Sequence, residues 1–173
     1  MARRIVVAAL LLAAAAHAEE EFGHRGQVVP FGFFSYSHVS ANDQSIEIVS
    51  IAPGVLWFFT DSIAIGGSPR YAFTSAALGG SSAHLLGLEP IVAVAVPLAA
   101  QVALFPRFGM EFSWIWSGGT TSNSITLDGF APVVFFPVPH LYLGVGPQLR
   151  TDLVNDSSKV TSVGIATEIG GWF

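Results

Sequence analysis

The chain has 173 residues, of which 51% are hydrophobic and only 11% charged, with a formal net charge of −5. A soluble domain of this size carries about 25% charged residues, so water alone does not face this protein, and a disordered chain is excluded by the same numbers. With no cysteine, disulfides, thiolate metal sites, thiol nucleophiles and lipidated cysteine are excluded, and the acidic balance argues against nucleic acid as a partner.

Residues 1–18 read as a secretory signal peptide. Arg3 and Arg4 open it, Ile5 to Ala16 is apolar, and Ala16-His17-Ala18 is a small-x-small cleavage site followed by Glu19, Glu20 and Glu21. The apolar run is too short to span about 30 Å of hydrocarbon. Residues 19–173 are expected to form one domain.

After a polar lead, Gln27 to Val39 is the first expected strand, and Ser40 to Ser45 turns the chain around Asn42-Asp43. Ile46 to Phe59 is the second, closed by Thr60-Asp61-Ser62. Ile63 to Thr74 is the third, followed by a Gly/Ser/Ala loop over Ser75 to Ser82. His84 to Val96 is the fourth, with a turn over Pro97 to Gln101. Val102 to Trp116 is the fifth, and Ser117 to Asn123 is a loop. Ser124 to Phe136 is the sixth, broken by Pro137-Val138-Pro139. Leu141 to Leu153 is the seventh, and Asn155 to Lys159 is a polar loop. The last strand fills Val160 to Phe173, where Ile165, Thr167 and Ile169 alternate with Ala166 and Glu168 and the chain ends on Trp172-Phe173.

Eight strands of about 12–15 residues match tilted membrane-spanning strands with overhangs. An even number of strands puts the turns near Asp61, Pro97 and Pro139 on the side of both termini, expected to be periplasmic. The loops near Asp43, Gly79, Gly118 and Ser157 fall on the other side. A helical span over Pro90 to Phe105 is interrupted by Pro97 and Gln101 and falls short of the roughly 20 residues needed. A soluble β-sandwich would need charge on its outward face.

The charges obey parity. Arg70 shares a strand face with Gly66 and Ser68; Glu89 with Gly87 and Ala93; Arg107 and Glu111 with Gly109 and Ser113. Asp128 lies with Thr126, Arg150 with Gly144, Gly146 and Gln148, and Glu168 with Ala166. The opposite faces are aliphatic or aromatic. A Lys or Arg facing lipid at mid-depth costs about 2–4 kcal/mol, so these seven charges are expected inside a barrel as an ion-pair network. An eight-stranded barrel is just wide enough for side chains to fill it. Strands one and two fit less well: Glu47, placed inside, carries Val49, Ile51 and Trp57 with it, and a bulge near Pro53-Gly54 is the expected remedy. Phe31, Phe33, Phe34, Trp57, Phe58, Phe59, Trp114, Trp116, Phe135, Phe136, Trp172 and Phe173 lie near strand ends, where interfacial girdles sit.

The mature chain resembles the small bacterial outer-membrane β-barrel families of the OmpA-transmembrane or OmpX-like kind. The signal peptide, the eight alternating strands, the segment SIAPGVLWFFTDSIAIGG and the Trp172-Phe173 end carry the resemblance. It implies an eight-stranded antiparallel up-and-down transmembrane barrel in a Gram-negative outer membrane, in contact with lipid and lipopolysaccharide. It further implies that Phe173 is part of the signal read by the barrel-insertion machinery. A non-enzymatic envelope role with no cofactor is the first expectation. The alternatives are a narrow channel and a lipid deacylase, the latter drawing on His38 and His84 with Ser35, Ser37, Ser81 and Ser82. A metal site would draw on His38, His84 and Asp43.

Overall fold

A computed structural model describes residues 22–41, 44–76, 82–155 and 161–173. The expected signal peptide lies outside these residues. The described chain forms eight antiparallel staves closed into a barrel, built from eleven strands: β1 Val28–Ala41, β2 Gln44–Phe58, β3 Ile63–Ala76, β4 Ala83–Val94, β5 Val96–Ala99, β6 Val102–Leu104, β7 Arg107–Ser117, β8 Thr120–Phe130, β9 Val133–Val138, β10 Leu141–Asn155 and β11 Thr161–Gly171. Around the wall, β1, β2, β3, β4, β7, β8, β10 and β11 follow one another, and β11 returns to β1. Strands β5, β6 and β9 continue the fourth, fifth and sixth staves at the end that holds both termini, here the turn end.

Two of the three broken staves share a cause. The bends at Ala95, Phe105-Pro106 and Ala131-Pro132 fall on neighbouring staves, and Pro106 and Pro132 give no ladder donor. Backbone bonds cross between staves at these points: Ala95 N donates to Ser62 O (2.7 Å), Phe105 N to Pro132 O (2.9 Å) and Ala131 N to Pro147 O (3.0 Å). The wall therefore bends without opening.

Several boundaries differ from the sequence reading. The seven-residue loop expected over 117–123 is a two-residue hairpin. Ser117 pairs with Thr120, and Gly118 and Gly119 take φ of 56° and 82°. Two successive positive φ values form the turn whose twist suits paired strands, and glycine adopts them without a Cβ clash. The turn expected over Pro97 to Gln101 shrinks because Val96–Ala99 is itself a strand. The sixth stave runs on to Val138.

The misfit on strands one and two resolves the other way from the expected bulge. β2 keeps one register along β1 from Trp57 to Gln44 and one along β3 from Phe58 to Ile46. Glu47 is exposed on the outer face with Val49, Ile51 and Trp57. It lies near the loop end and receives Tyr36 Oη–H at 3.4 Å, so it escapes the cost of a mid-membrane charge. Alternation elsewhere follows the pleat. Leu88, Val92, Phe108, Leu127, Leu143, Val145 and Ile169 form part of an exposed apolar belt, while Ala93, Glu111, Asp128 and Glu168 on the same staves are buried. Not every strand-end aromatic belongs to an outer girdle. Phe58 and Trp172 are buried in the lumen, and Phe31 and Phe136 pack against that core.

Candidate functional site

The interior has two layers, a polar one at mid-height and an aromatic one at the turn end. Four of the seven inner charges meet in one network. Glu111 on β7 is 1% exposed. Its Oε2 accepts from Arg70 Nη1 on β3 (3.1 Å) and from Arg150 Nη2 on β10 (2.7 Å). Arg150 Nε also lies 3.3 Å from Asp128 Oδ2 on β8, and Gln148 Nε2 donates to that same oxygen (2.8 Å). Arg70 Nε donates to Ser50 Oγ on β2 (3.2 Å).

A second pair stands apart: Arg107 Nη2 on β7 donates to Glu168 Oε2 on β11 at 2.5 Å. The Arg107 guanidinium also lies 4.6 Å from the Phe31 ring and 5.0 Å from the Phe130 ring, contacts that favour a cation on an aromatic face. Glu89 makes no ion pair within 4.0 Å among the described residues. Buried and without a protein hydrogen-bond partner are Arg107 Nη1, Glu168 Oε1 and Tyr142 Oη.

Glycines seat three of these acids. A Cβ on Gly87 would press on the Glu111 carboxyl (3.1 Å), and one on Gly144 would lie 2.8 Å from Glu168 Cγ. A Cβ on Gly109 would overlap the Glu89 carboxyl. Small residues share the face of the charges because the carboxylates lie flat across neighbouring backbone.

The aromatic layer is organised by a residue that the sequence reading left in its polar lead. The Phe22 ring stands 5.0 Å from Phe105, 5.1 Å from Phe136, 5.5 Å from Trp172, 5.6 Å from Phe58 and 5.8 Å from Tyr142. The segment after it is tied down by backbone bonds: Ser62 N donates to Gly23 O and Gly26 N to Phe58 O, each at 2.7 Å. Gly23 N also donates to Gln27 Oε1 (2.8 Å). Arg25 N donates to Asp61 Oδ1 (2.9 Å). That bond, ahead of the nearby His24, holds the Asp61 carboxyl below the usual carboxylate range. Gly23 and Gly26, at φ +100° and +97°, allow the segment to fold back into the mouth. The available sequence signal was a lone Phe followed by two glycines three apart.

The other expected sites are dispersed. His38 and His84 stand on the first and fourth staves, three strand spacings or about 14 Å apart around the wall. His84 Nδ1 is 2.9 Å from Tyr71 Oη, and its ring packs 5.0 Å from Phe73. Asp43 and Ser81 lie outside the described residues. Phe173 is exposed at the turn end, and its backbone exchanges two hydrogen bonds with Val28.

Eight antiparallel staves, an apolar outer belt and a charge-lined, side-chain-filled lumen define the transmembrane β-barrel of the outer-membrane type. The crystal structure of Neisserial surface protein A has this fold. It superposes with a TM-score of 0.57 at 15% identity, covering 85% of this chain and 96% of that one. The translocator domain of the autotransporter NalP from Neisseria meningitidis is matched at 10% identity and a TM-score of 0.45, over 96% of this chain and 67% of that one. No protein-family model and no curated protein sequence matches the chain.

Proposed function

We propose that this chain is a non-enzymatic outer-membrane protein with both termini periplasmic and a structural or interaction role in the envelope. On this reading its partners are membrane lipid and lipopolysaccharide on the apolar belt. The barrel-insertion machinery would act at the closing strand through Phe173. The observation that carries the proposal is the double closure of the lumen. Arg70, Glu111, Asp128 and Arg150 brace staves across the middle, and Phe22 fills the turn end among five aromatic rings. A conduit needs a continuous polar path, and an aromatic layer without charge interrupts it. A hydrolase needs a nucleophile and base in hydrogen-bond reach, and His84 Nδ1 instead meets Tyr71 Oη at 2.9 Å on the exposed face.

Planar-bilayer recording and a lipid-release assay on the purified, refolded chain test the reading together. The expected result is no stepwise conductance and no release of fatty acid from lipopolysaccharide or phospholipid. Steady single-channel steps would replace it with the channel reading, and turnover would replace it with the enzyme.

A further inference from the structure

The barrel wall is not closed evenly. β1 is paired with β2 along its whole length, from Val28↔Trp57 to Ala41↔Gln44, and β11 with β10 from Gly171↔Leu141 to Thr161↔Thr151. Between β1 and β11 the ladder holds only Phe31↔Gly170 and Gly32↔Ile169, above the reciprocal backbone bonds of Val28 and Phe173 (3.0 and 3.1 Å). One register serves all these contacts, and extended it would set Phe34 opposite Thr167 and Tyr36 opposite Ile165. Among the described residues that extension is not made. The phase of β11 is fixed on its other side: Pro147, opposite Ile165, turns its carbonyl away to Ala131 N. Ile165 therefore directs its N–H and C=O toward β1, and so do Val163 and Thr167, two residues away on either side. At about 3.4 Å per residue and a tilt of about 40°, Val28 to Gly32 cover about 13 Å of the membrane normal, roughly half of a ~25 Å apolar band. Above that height two strand edges face each other without rungs.

Exposure gives independent support. Ile165 on β11 is 82% exposed and Phe34 on β1 69%, whereas Val145, on a stave paired on both sides, is 52% exposed. Gly164 faces inward yet is exposed, and a Cβ there would meet nothing within 4 Å. A cavity in the polar layer touches Phe31 and Phe33 on one edge and Ala166, Thr167 and Glu168 on the other. Thr167 alternates outward between Ala166 and Glu168, so its presence brings the cavity to the seam itself.

At membrane depth, backbone outside a ladder is tolerated only where it is buried in protein or lines water. An acyl chain in the gap would leave every one of these groups unsatisfied. The cavity lining asks for the same kind of occupant, since Arg70, Arg107 and Arg150 stand there with Glu89, Asp128 and Glu168. An ion of either sign would meet three like charges, whereas a neutral ligand that both donates and accepts suits them all. Two of these residues carry a buried atom without a protein partner: Arg107 Nη1, a donor, and Glu168 Oε1, an acceptor. The cavity, at about 70 Å³, is several times the ~10–15 Å³ that holds one water. We propose that the polar layer and the open half of the β1–β11 seam form one water-holding inlet, filled from the loop end. Water bonds Arg107 Nη1 and Glu168 Oε1 inside and takes the place of the missing rungs at the wall. The aromatic layer around Phe22 closes the inlet below, so water reaches the charges without crossing the barrel. This goes beyond the envelope role above and does not depend on it.

Two measurements on the refolded, unsubstituted chain in phosphatidylcholine vesicles test the inlet. The first is amide hydrogen exchange read residue by residue, since an amide at this depth exchanges only where water reaches it. Val163, Ile165 and Thr167 should exchange early, and Gly164, Ala166 and Glu168, bonded to β10, late. Late exchange of both sets means a closed wall or a dry gap and overturns the proposal. Early exchange of both sets means that β11 frays as a whole and overturns it too. Early exchange that turns late as the protein-to-lipid ratio rises would put a strand edge of a second copy in the seam instead of water. The second measurement is X-ray radiolysis, in which hydroxyl radicals born from water oxidise the side chains beside it. Ile91 and Phe33, which line the cavity, should be oxidised. Phe58 and Phe105, both fully buried in the aromatic layer, should be spared, although phenylalanine is intrinsically more reactive than isoleucine. Sparing of Ile91 and Phe33 would mean a dry lumen and overturn the inlet. Equal oxidation of all four would mean that water crosses the aromatic layer, and would overturn its closure at the turn end.

Discussion

Arg107 and Glu168 join β7 to the closing strand β11 across the lumen, with two staves between them and both side chains under one-tenth exposed. Breaking such a pair from one side leaves a buried charge without its partner, at a cost of about 3–5 kcal/mol. Arg107→Met should therefore lower the urea midpoint of the refolded barrel strongly. Arg107→Met with Glu168→Gln should recover a large part of that loss. Equal loss in the single and double variants would mean that the pair is not coupled.

Phe22 offers a separable test, since it precedes the barrel and pairs with no strand. Phe22→Ala should leave strand content in circular dichroism unchanged and cost about 2–4 kcal/mol by loss of a packed aromatic side chain. It should also open the turn end, so that Trp172 becomes accessible to iodide quenching. Unchanged quenching would remove the plug role.

Asp61 gives a pH signature. Its folded carboxyl titrates below the ordinary value because it accepts the Arg25 amide. Its contribution is therefore complete above the unfolded value near pH ~4 and is lost as pH falls through the folded one. Exchange protection at the Arg25 amide should fall on acidification in that window, after intrinsic rates are corrected for. Asp61→Asn should flatten the profile. An unchanged profile in Asp61→Asn would remove this carboxylate as the cause.

For Phe173, the side chain and the backbone separate cleanly. The side chain is 61% exposed, but N and O close the seam on Val28. Phe173→Ala should keep nearly the parental urea midpoint, losing at most about 1–3 kcal/mol by area, while lowering the amount inserted in cells. Deletion of Phe173 should lower both, because it removes two bonds of a short ladder. Normal insertion of Phe173→Ala would argue against a role for this residue as an assembly signal.

Period-two alternation made the staves legible because one face meets an apolar medium and the other a crowded interior. The same signal placed Arg70, Glu89, Arg107, Glu111, Asp128, Arg150 and Glu168 on inner faces. Which arginine meets which acid was not legible, since the contacts skip staves: Arg70 reaches Glu111 past β4, and Arg107 reaches Glu168 past β8 and β10. Strand alternation carries no information on such distances. Glu47 was misplaced because parity alone ignores height, and a charge near the loop end has water within reach. The hairpin at Gly118-Gly119 looked like a loop because Thr, Ser and Asn also serve as outer strand residues above the membrane. Phe22 was missed because a plug residue has no period.

The seam also orders how the molecule comes together. Every other neighbouring pair of staves is joined by a short connection, so each can zip locally as a hairpin. Val28 and Phe173 stand at nearly opposite ends of the described chain, and their contact requires the largest loop closure in the fold. A curled sheet with two free sides must therefore precede the closed ring, and the last few rungs to form are the first to be given up on unfolding.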